Sequence, residues 1–273
     1  SFCKAHSASY AVESFQSLYL KTYFPLELMV AVINNYGGFY STELYIHEAR
    51  MCGARIEAPC VNKSRYLTHI EGKTIYVGLI HIQSLEKEQA LQLVREREIR
   101  GPYSNLDDFI QRNKMTREQL NLLIRIGGFR FTKQSKCSLL WERNAKYQSP
   151  QKYVAARPIF SEKEDKYELP ILEDGLYDQA FDEIELLGFS LCSPFNLILE
   201  KPHSYTMSKD LKTKISKKII LVGYYVTRKP VTTSNGKLMS FGTWVDEEGY
   251  FFDTTHFPPS LEHYPFQGKG CYE

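Results

Sequence analysis

The chain has 273 residues and 31.7 kDa, with a net charge of +2 from 34 Lys and Arg against 32 Asp and Glu. Hydrophobic residues at 43% and charged residues at 24% exclude collagen, disorder and a bare coiled coil as global descriptions. No apolar run approaches the ~20 residues that span a bilayer, and the chain opens on Ser1 and Phe2 with no initiator Met and no charged-then-apolar leader, so no membrane contact, a cytoplasmic location and a piece of a longer protein are expected.

Charge is unevenly placed. Between Glu162 and Glu185 there are ten acidic residues against two lysines, whereas Lys201 to Lys237 holds nine Lys or Arg against Asp210 alone. Either run can be a solvated face; together they describe an acidic linker and a basic module. The six cysteines contain no C-x-x-C pair and read as reduced thiols. His47, Cys52, Cys60 and His69 have zinc-capable atoms at spacings that fit no ordinary finger.

In chain order, a first helix is expected from about His6 to Pro25, capped by Ser7 or Ser9, with Phe15, Leu18, Tyr19 and Thr22 as its packing face. LELMVAVINN reads as a buried helix and TELYIHEARMCG as an amphipathic one ending at Gly53. YLTHI and TIYVGL, split by Glu71, Gly72 and Lys73, suggest a hairpin. A helix over SLEKEQALQLVREREIRG should bury Leu85, Ala90, Leu91 and Val94 and stop at Gly101. Ser104 with Asp107, and Thr116 with Gln119, mark two further helix starts, and Gly127 and Gly128 break the second helix.

Pro150, Pro158 and Pro170 then mark an exposed linker with apolar plugs, before a helix DQAFDEIELLG closed by Gly188. Beyond Ser208 the period becomes two. Three strands are expected, with a type I′ turn at Asn235 and Gly236, bends at Gly223 and Gly242, and the start of a fourth strand at GKGCYE. The fold class is therefore multidomain α+β: a helical region followed by an incomplete β-rich barrel. Its divisions are expected at 1–53, 54–148, 149–207 and 208–273.

Catalytic patterns are missing: there is no H-E-x-x-H, D-x-D, G-x-S-x-G or phosphate loop. Asp246 and Asp253 read as turn acids. Nucleic acid is better supported. Residues 78 to 100 and 116 to 128 have the dimensions of a tandem helix-hairpin-helix, which offers backbone amides to phosphates. The first hairpin, Ser84-Leu85-Glu86, sets a carboxylate where phosphate would sit and reads as structural. The second, with Arg125, Gly127, Gly128 and Arg130, is the DNA-backbone candidate. In the C-terminal module Tyr224, Tyr225, Phe241 and Trp244 stand with Arg228, Lys229 and Lys237, the equipment of a single-stranded DNA groove in an OB-fold. Period-two alternation sends either Tyr224 or Tyr225 inward.

The opening S-F-C-K-A-H-S-A-S-Y-A resembles the F-N-K-S-H-A-A-A-Y-A segment of the bacterial replicative DNA polymerases of family C, the DNA polymerase III alpha subunits, through Phe2, Lys4, His6, Ala8, Tyr10 and Ala11. Residues 14 to 29 resemble that family's S-Y-Q-T-x-Y-L-K-x-x-Y-P-x-E-F-M. Ile82 to Lys87 resemble I-K-G-L-G-E with both glycines lost, Leu123 to Phe129 resemble L-I-x-x-G-A-F, and Leu187 onward resembles L-G-F-x-L-x-x-x-P with Pro194 one place early.

The resemblance implies the end of the fingers, the helix-hairpin-helix and clamp-binding region and a partial OB domain. It implies no palm carboxylates, so no polymerase chemistry in this chain alone and no cofactor here, with Mg2+ expected for the parent enzyme. It places Lys4, His6 and Tyr10 near the nucleotide or primer-template junction. The partners it implies are DNA, the sliding clamp and the rest of the holoenzyme. The clamp motif maps onto Pro158, Ile159 and Phe160, without its Gln. The rival reading is a free-standing nucleic-acid binding module of repair or recombination.

Overall fold

A computed structural model of the chain describes residues 3–38, 40–148 and 175–273. The chain divides into two compact units, residues 1–191 and 192–273.

In unit 1 the first helix, α1 (Lys4–Tyr23), starts two residues before the expected His6, so Ser7 and Ser9 fall inside it and cannot cap. Their hydroxyls donate back to the carbonyls of Cys3 and Ala5 at 3.4 and 3.0 Å, the usual fate of a helical serine. None of its residues is buried, and Phe15 is 76% exposed: the apolar face exists, but no described element covers it. Pro25 opens α2 (Pro25–Asn34) at its first turn, where a missing N–H costs nothing.

Helix α3 (Thr42–Met51) follows and gives way to a small sheet of β1 (Arg55–Glu57), β2 (His69–Glu71) and β3 (Thr74–Tyr76). The strand order is β1-β3-β2, with β1 parallel to β3 and β2 antiparallel to it across the predicted Glu71-Gly72-Lys73 turn. Leu26 and Met29 of α2, Ala49 of α3 and Ile75 of β3 form one buried cluster.

Helix α4 (Lys87–Arg100) starts three residues after the expected Ser84 and buries Ala90, Leu93 and Val94; Leu85 therefore precedes the helix and Leu91 lies beside the buried face, and both are only half-buried. It stops at Gly101, at φ 82°. Helix α5 (Leu106–Arg112) is capped one residue later than expected. Asn105 Oδ1 accepts from Asp108 N–H at 2.8 Å, and Asp108 Oδ2 accepts from Ser104 N–H at 2.9 Å, so Asn105 and Asp108 replace Ser104 and Asp107. Thr116 caps α6 (Arg117–Arg125) as predicted, its hydroxyl accepting from Gln119 N–H at 3.3 Å. Helices α7 (Lys136–Gln148) and α8 (Leu176–Leu187) complete the unit. The larger core joins Tyr103, Leu106, Phe109, Leu120, Leu123, Ile124 and Phe129.

Unit 2 is a curled antiparallel half-barrel. Strands β4 (Gly223–Thr232), β5 (Leu238–Val245), β6 (Phe251–His256) and β7 (Cys271–Tyr272) lie in the order β6-β5-β4-β7, with α9 (Pro258–His263) between the last two in sequence. The expected fourth strand therefore pairs with β4. The β4–β5 turn is not type I′: only Gly236 has a positive φ, 75°, and Thr233 N–H donates to Lys237 carbonyl at 2.8 Å, closing a three-residue loop. Gly223 serves a close approach: a Cβ there would lie 2.6 Å from the Phe252 ring and 2.9 Å from Trp244 Cβ.

Candidate nucleic-acid interface

Lys4, His6 and Tyr10 all lie in the first two turns of α1 and are exposed, with the His6 and Tyr10 rings edge-to-face at 4.6 Å. Pro158, Ile159 and Phe160 lie outside the described residues.

The two hairpins of unit 1 have their polar groups occupied from within. In the first, Ser84 adopts φ 63°, so a serine holds the left-handed conformation that glycine favours. Gln119 reaches across from α6: its Oε1 accepts from Glu86 N–H at 2.8 Å and its Nε2 donates to Ser84 carbonyl at 2.8 Å. Gln83 N–H donates to Leu186 carbonyl at 2.7 Å and Leu85 N–H to Ile82 carbonyl at 3.2 Å. These amides hold unit 1 together, in keeping with a structural hairpin.

In the second hairpin, Gly128 N–H donates to Leu123 carbonyl at 2.8 Å and Gly127 N–H to Ile124 carbonyl at 3.0 Å, a Schellman closure of α6 with Gly127 at φ 77°. Arg125 donates to Asp182 Oδ1 and Glu185 Oε1 of α8 at 2.8 and 2.9 Å, and also to Glu185 Oε2. Hydrogen bonding to Glu185, and next to Asp182, raises its pKa further. Arg130 donates to the carbonyls of Pro59 and Ala58, both at 2.9 Å, and to Glu57 Oε2 at 3.1 Å. A phosphate arriving here would have to displace these partners.

In unit 2 the strand register sorts the candidate residues onto two faces. Tyr225 pairs with Trp244 and Trp244 with Phe252, so these three share the inner face. Trp244 is 4% exposed and stacks on Phe266 at 5.6 Å. Its indole N–H donates to Thr254 Oγ1 at 2.6 Å, and Thr254 Oγ1 lies 2.7 Å from His256 Nε2. Burial lowers the His256 pKa. A register shift between Tyr225 and Thr227 then places Arg228 on this same inner side, where its guanidinium sits 5.5 Å from the Phe266 ring centre.

Lys229 pairs directly with Phe241 on the opposite, outer face, and Phe241 in turn pairs with Thr255. Lys229 is exposed, and Phe241 and Phe251 are each 43% exposed. Tyr224 belongs to the outer side, and Lys237 is exposed at the β4–β5 turn. The expected single cluster is thus divided: Trp244 and Arg228 turn inward with Tyr225, while Lys229 and Phe241 face outward.

Acids near this sheet have partners. Glu247 accepts from Lys201 Nζ at 2.6 Å and from the Tyr205 hydroxyl, whose pKa is pushed up to about 12 by that bond; Glu248 accepts from Lys209 Nζ at 2.5 Å. Asp246, 2% exposed, accepts from Ser208 N–H and hydroxyl at 3.0 and 2.6 Å and from Tyr250 N–H at 2.9 Å. Burial raises its pKa, but the hydrogen bonds from Ser208, Tyr250 and Glu248 outweigh it and hold the carboxyl below the ordinary range. Asp253 accepts from the Thr243 hydroxyl at 2.7 Å. Asp246 is thus a buried acceptor, and Asp253 lies within β6 and not at the turn. Among the described residues no group of three or more His, Cys, Asp or Glu side chains could hold a metal, and no helix is long and apolar enough to cross a membrane.

Comparison with known proteins agrees with this geometry. Residues 53–139 match the helix-hairpin-helix motif. The chain is 26% identical to the DNA polymerase III subunit alpha of Treponema pallidum across 97% of its own length and 24% of that protein's. It is 28% identical to the error-prone DNA polymerase of Bdellovibrio bacteriovorus across 91% of its length and 25% of that protein's. With the DNA polymerase III subunit alpha of Thermus aquaticus it shares 33% identity over 41% of its length. The chain spans about a quarter of the length of the first two relatives. A helix-hairpin-helix region followed by a half-barrel sheet thus accompanies similarity along nearly the whole chain, and at family level the chain is similar to the bacterial DNA polymerase III alpha subunits and error-prone DNA polymerases.

Proposed function

We propose that this chain is a non-catalytic part of a bacterial replicative DNA polymerase that contributes DNA and sliding-clamp contacts to the whole enzyme. The observation that carries the reading is similarity to polymerases over 91–97% of the chain, which a free-standing module would not require. The outer face of the half-barrel gives the reading its chemistry: Lys229 beside Phe241, with Phe251 on the same side, offers a cation for phosphate and aromatic faces for bases. Pairing of Glu247 and Glu248 with Lys201 and Lys209 removes much of their repulsion.

The test is fluorescence anisotropy with a labelled oligothymidine across a salt series. Lys229→Ala should lower the slope of log affinity against log salt by about 0.7, one phosphate contact on a single strand. Phe241→Ala should cost about 1–3 kcal/mol of binding, one stacked base. Identical curves for wild type and both variants would end the assignment of this face to DNA. The clamp contact is assigned to Pro158, Ile159 and Phe160: Ile159→Ala with Phe160→Ala should weaken binding of the cognate clamp, and unchanged affinity would place the contact elsewhere. In the whole enzyme Lys4→Ala should raise the nucleotide KM or lower kcat, as expected of a group near the incoming nucleotide with His6 and Tyr10.

A further inference from the structure

Arg125 ends α6 two residues before Gly127, within the helix-hairpin-helix stretch. The two edges of its guanidinium meet different carboxylates of α8. Nε donates to Asp182 Oδ1 at 2.8 Å, which fixes the plane of the fork. Nη1 donates to Glu185 Oε1 at 2.9 Å and Nη2 donates to Glu185 Oε2, so the outer edge carries two parallel bonds. That is the geometry with which arginine takes a carboxylate or a phosphate alike.

The two carboxylates are held differently. The Asp182 side chain is 17% exposed and also accepts from Lys136 Nζ at 2.6 Å, whereas the Glu185 side chain is 63% exposed. Among these four groups two cations face two anions, so withdrawing Glu185 leaves one positive charge at the outer edge of Arg125. Helix α8 does not depend on Glu185 for its place. Ala180, Leu186 and Leu187 are buried, Asp182 stays on Lys136, and Gln83 N–H donates to the Leu186 carbonyl at 2.7 Å. An exposed ion pair adds little to such anchors, and Glu185 can leave Arg125 by side-chain rotation alone.

The glycine beside Arg125 is covered as lightly. Nearest to the position of a Gly127 Cβ are the amide atoms of Gln179, at 3.7 and 3.8 Å, and Gln179 lies one turn before Asp182 on the same side of α8. Its amide donates to Glu183 Oε1 at 2.8 Å. Arg130 has a different fate: besides Glu57, its terminal nitrogens meet the main-chain carbonyls of Pro59 and Ala58, which no side-chain rotation removes.

We propose that Glu185 is a stand-in for DNA phosphate: it occupies the outer edge of Arg125 in the free chain and swings aside when a backbone phosphate takes that edge, while Asp182 keeps the guanidinium in plane. The second hairpin then contacts DNA through Arg125 and not Arg130, and more weakly than a bare arginine would, because each contact first breaks a pair. The proposal rests on the DNA reading given above.

The test uses the full 273-residue chain and a labelled duplex with a single-stranded overhang, followed by fluorescence anisotropy at about 50 mM salt, where such contacts are little screened. Glu185→Gln should tighten binding about 2- to 6-fold, the range set by an exposed ion pair, and should leave the thermal midpoint in place because α8 keeps its apolar anchors. In an Arg125→Gln background the same substitution should change nothing. In an Arg125→Lys background, which keeps the charge and lacks the fork, it should give less than half the gain. Glu118→Gln removes an exposed charge from the other end of α6 and should leave the affinity unchanged. Unchanged affinity of Glu185→Gln in a chain that binds DNA, an equal gain in the Glu118 control, or a full gain in either Arg125 background overturns the stand-in and spares the DNA reading. A lowered midpoint with unchanged affinity also overturns it and leaves the pair to stability alone. Absence of DNA binding by both the wild type and Glu185→Gln overturns the broader reading with it.

Discussion

Gly78 isolates a steric requirement. A Cβ at this position would lie 2.4 Å from Thr68 N, 2.5 Å from the Leu67 carbonyl carbon and 2.7 Å from Tyr66 O, all of them backbone atoms that cannot rotate away. Gly78→Ala must therefore separate the 66–68 backbone from the start of the next turn by about 1 Å to reach ordinary van der Waals distance. Hydrogen bonds that span this contact are Gly78 N–H to Thr68 Oγ1 at 3.1 Å, Leu79 N–H to Arg65 carbonyl at 3.0 Å and Ile80 N–H to Tyr66 carbonyl at 2.9 Å, with the Asn34–Thr68 pair behind them.

Overpacking costs about 1–3 kcal/mol, and each bond lost adds about 0.5–1.5 kcal/mol. The expected loss is about 2–5 kcal/mol. With a urea slope of about 2 kcal/mol/M, a loss of 3 kcal/mol moves the unfolding midpoint by about 1.5 M. Gly53 supplies the contrast, since its φ is +88° and nothing lies within 4 Å of its Cβ position. Gly53→Ala should cost about 1–2 kcal/mol of left-handed strain, and Gly53→Asn should recover part of it, whereas Gly78→Asn recovers nothing. Equal midpoints for Gly78→Ala and the wild type, or equal losses at both glycines, would refute the steric explanation.

Asp246→Ala should destabilise unit 2 by about 2–4 kcal/mol, because it removes a buried acceptor of three hydrogen bonds; a change under about 0.5 kcal/mol by denaturant titration, the size of an ordinary surface substitution, would contradict this. The same carboxyl has a lowered folded pKa, so its stabilisation is present above its unfolded value and is lost as pH falls through and below the ordinary carboxylate range. His256 acts at higher pH: its folded pKa is lowered, so the unfolded chain takes up the proton first, and stability falls as pH drops below about 6.5. His256→Gln should flatten that loss in a pH series of melting midpoints. Gln119→Ala removes both bonds to the first hairpin and should cost about 1–3 kcal/mol while speeding amide exchange at Glu86; unchanged exchange would show that Gln119 does not hold the hairpin.

Several helix limits were legible in the sequence because their causes are local. Pro25 at a first turn, Thr116 three residues before the amide it caps, and the left-handed glycines Gly101, Gly127 and Gly188 all act within a few residues of themselves. The mixed α+β class was equally readable, since the change from helical to alternating period beyond Ser208 is a local pattern. Even so, Asn105 rather than Ser104 caps α5, because neighbouring cap-forming residues compete and only the path of the backbone chooses between them.

Alternation along β4 already separates Arg228 from Lys229, but not which of them faces inward. That choice is made by the register shift between Tyr225 and Thr227, which depends on how β5 pairs across the sheet and puts Arg228 with Trp244 and Lys229 with Phe241. The fate of the arginines is more distant still. Arg125 meets Asp182 and Glu185 from positions 57 and 60 residues away, and Gln119 reaches Glu86 and Ser84 across 33 and 35 residues. Charge and hydrogen-bonding capacity are properties of single residues, but whether they remain available to a ligand depends on which other residues the folded chain brings within about 3 Å.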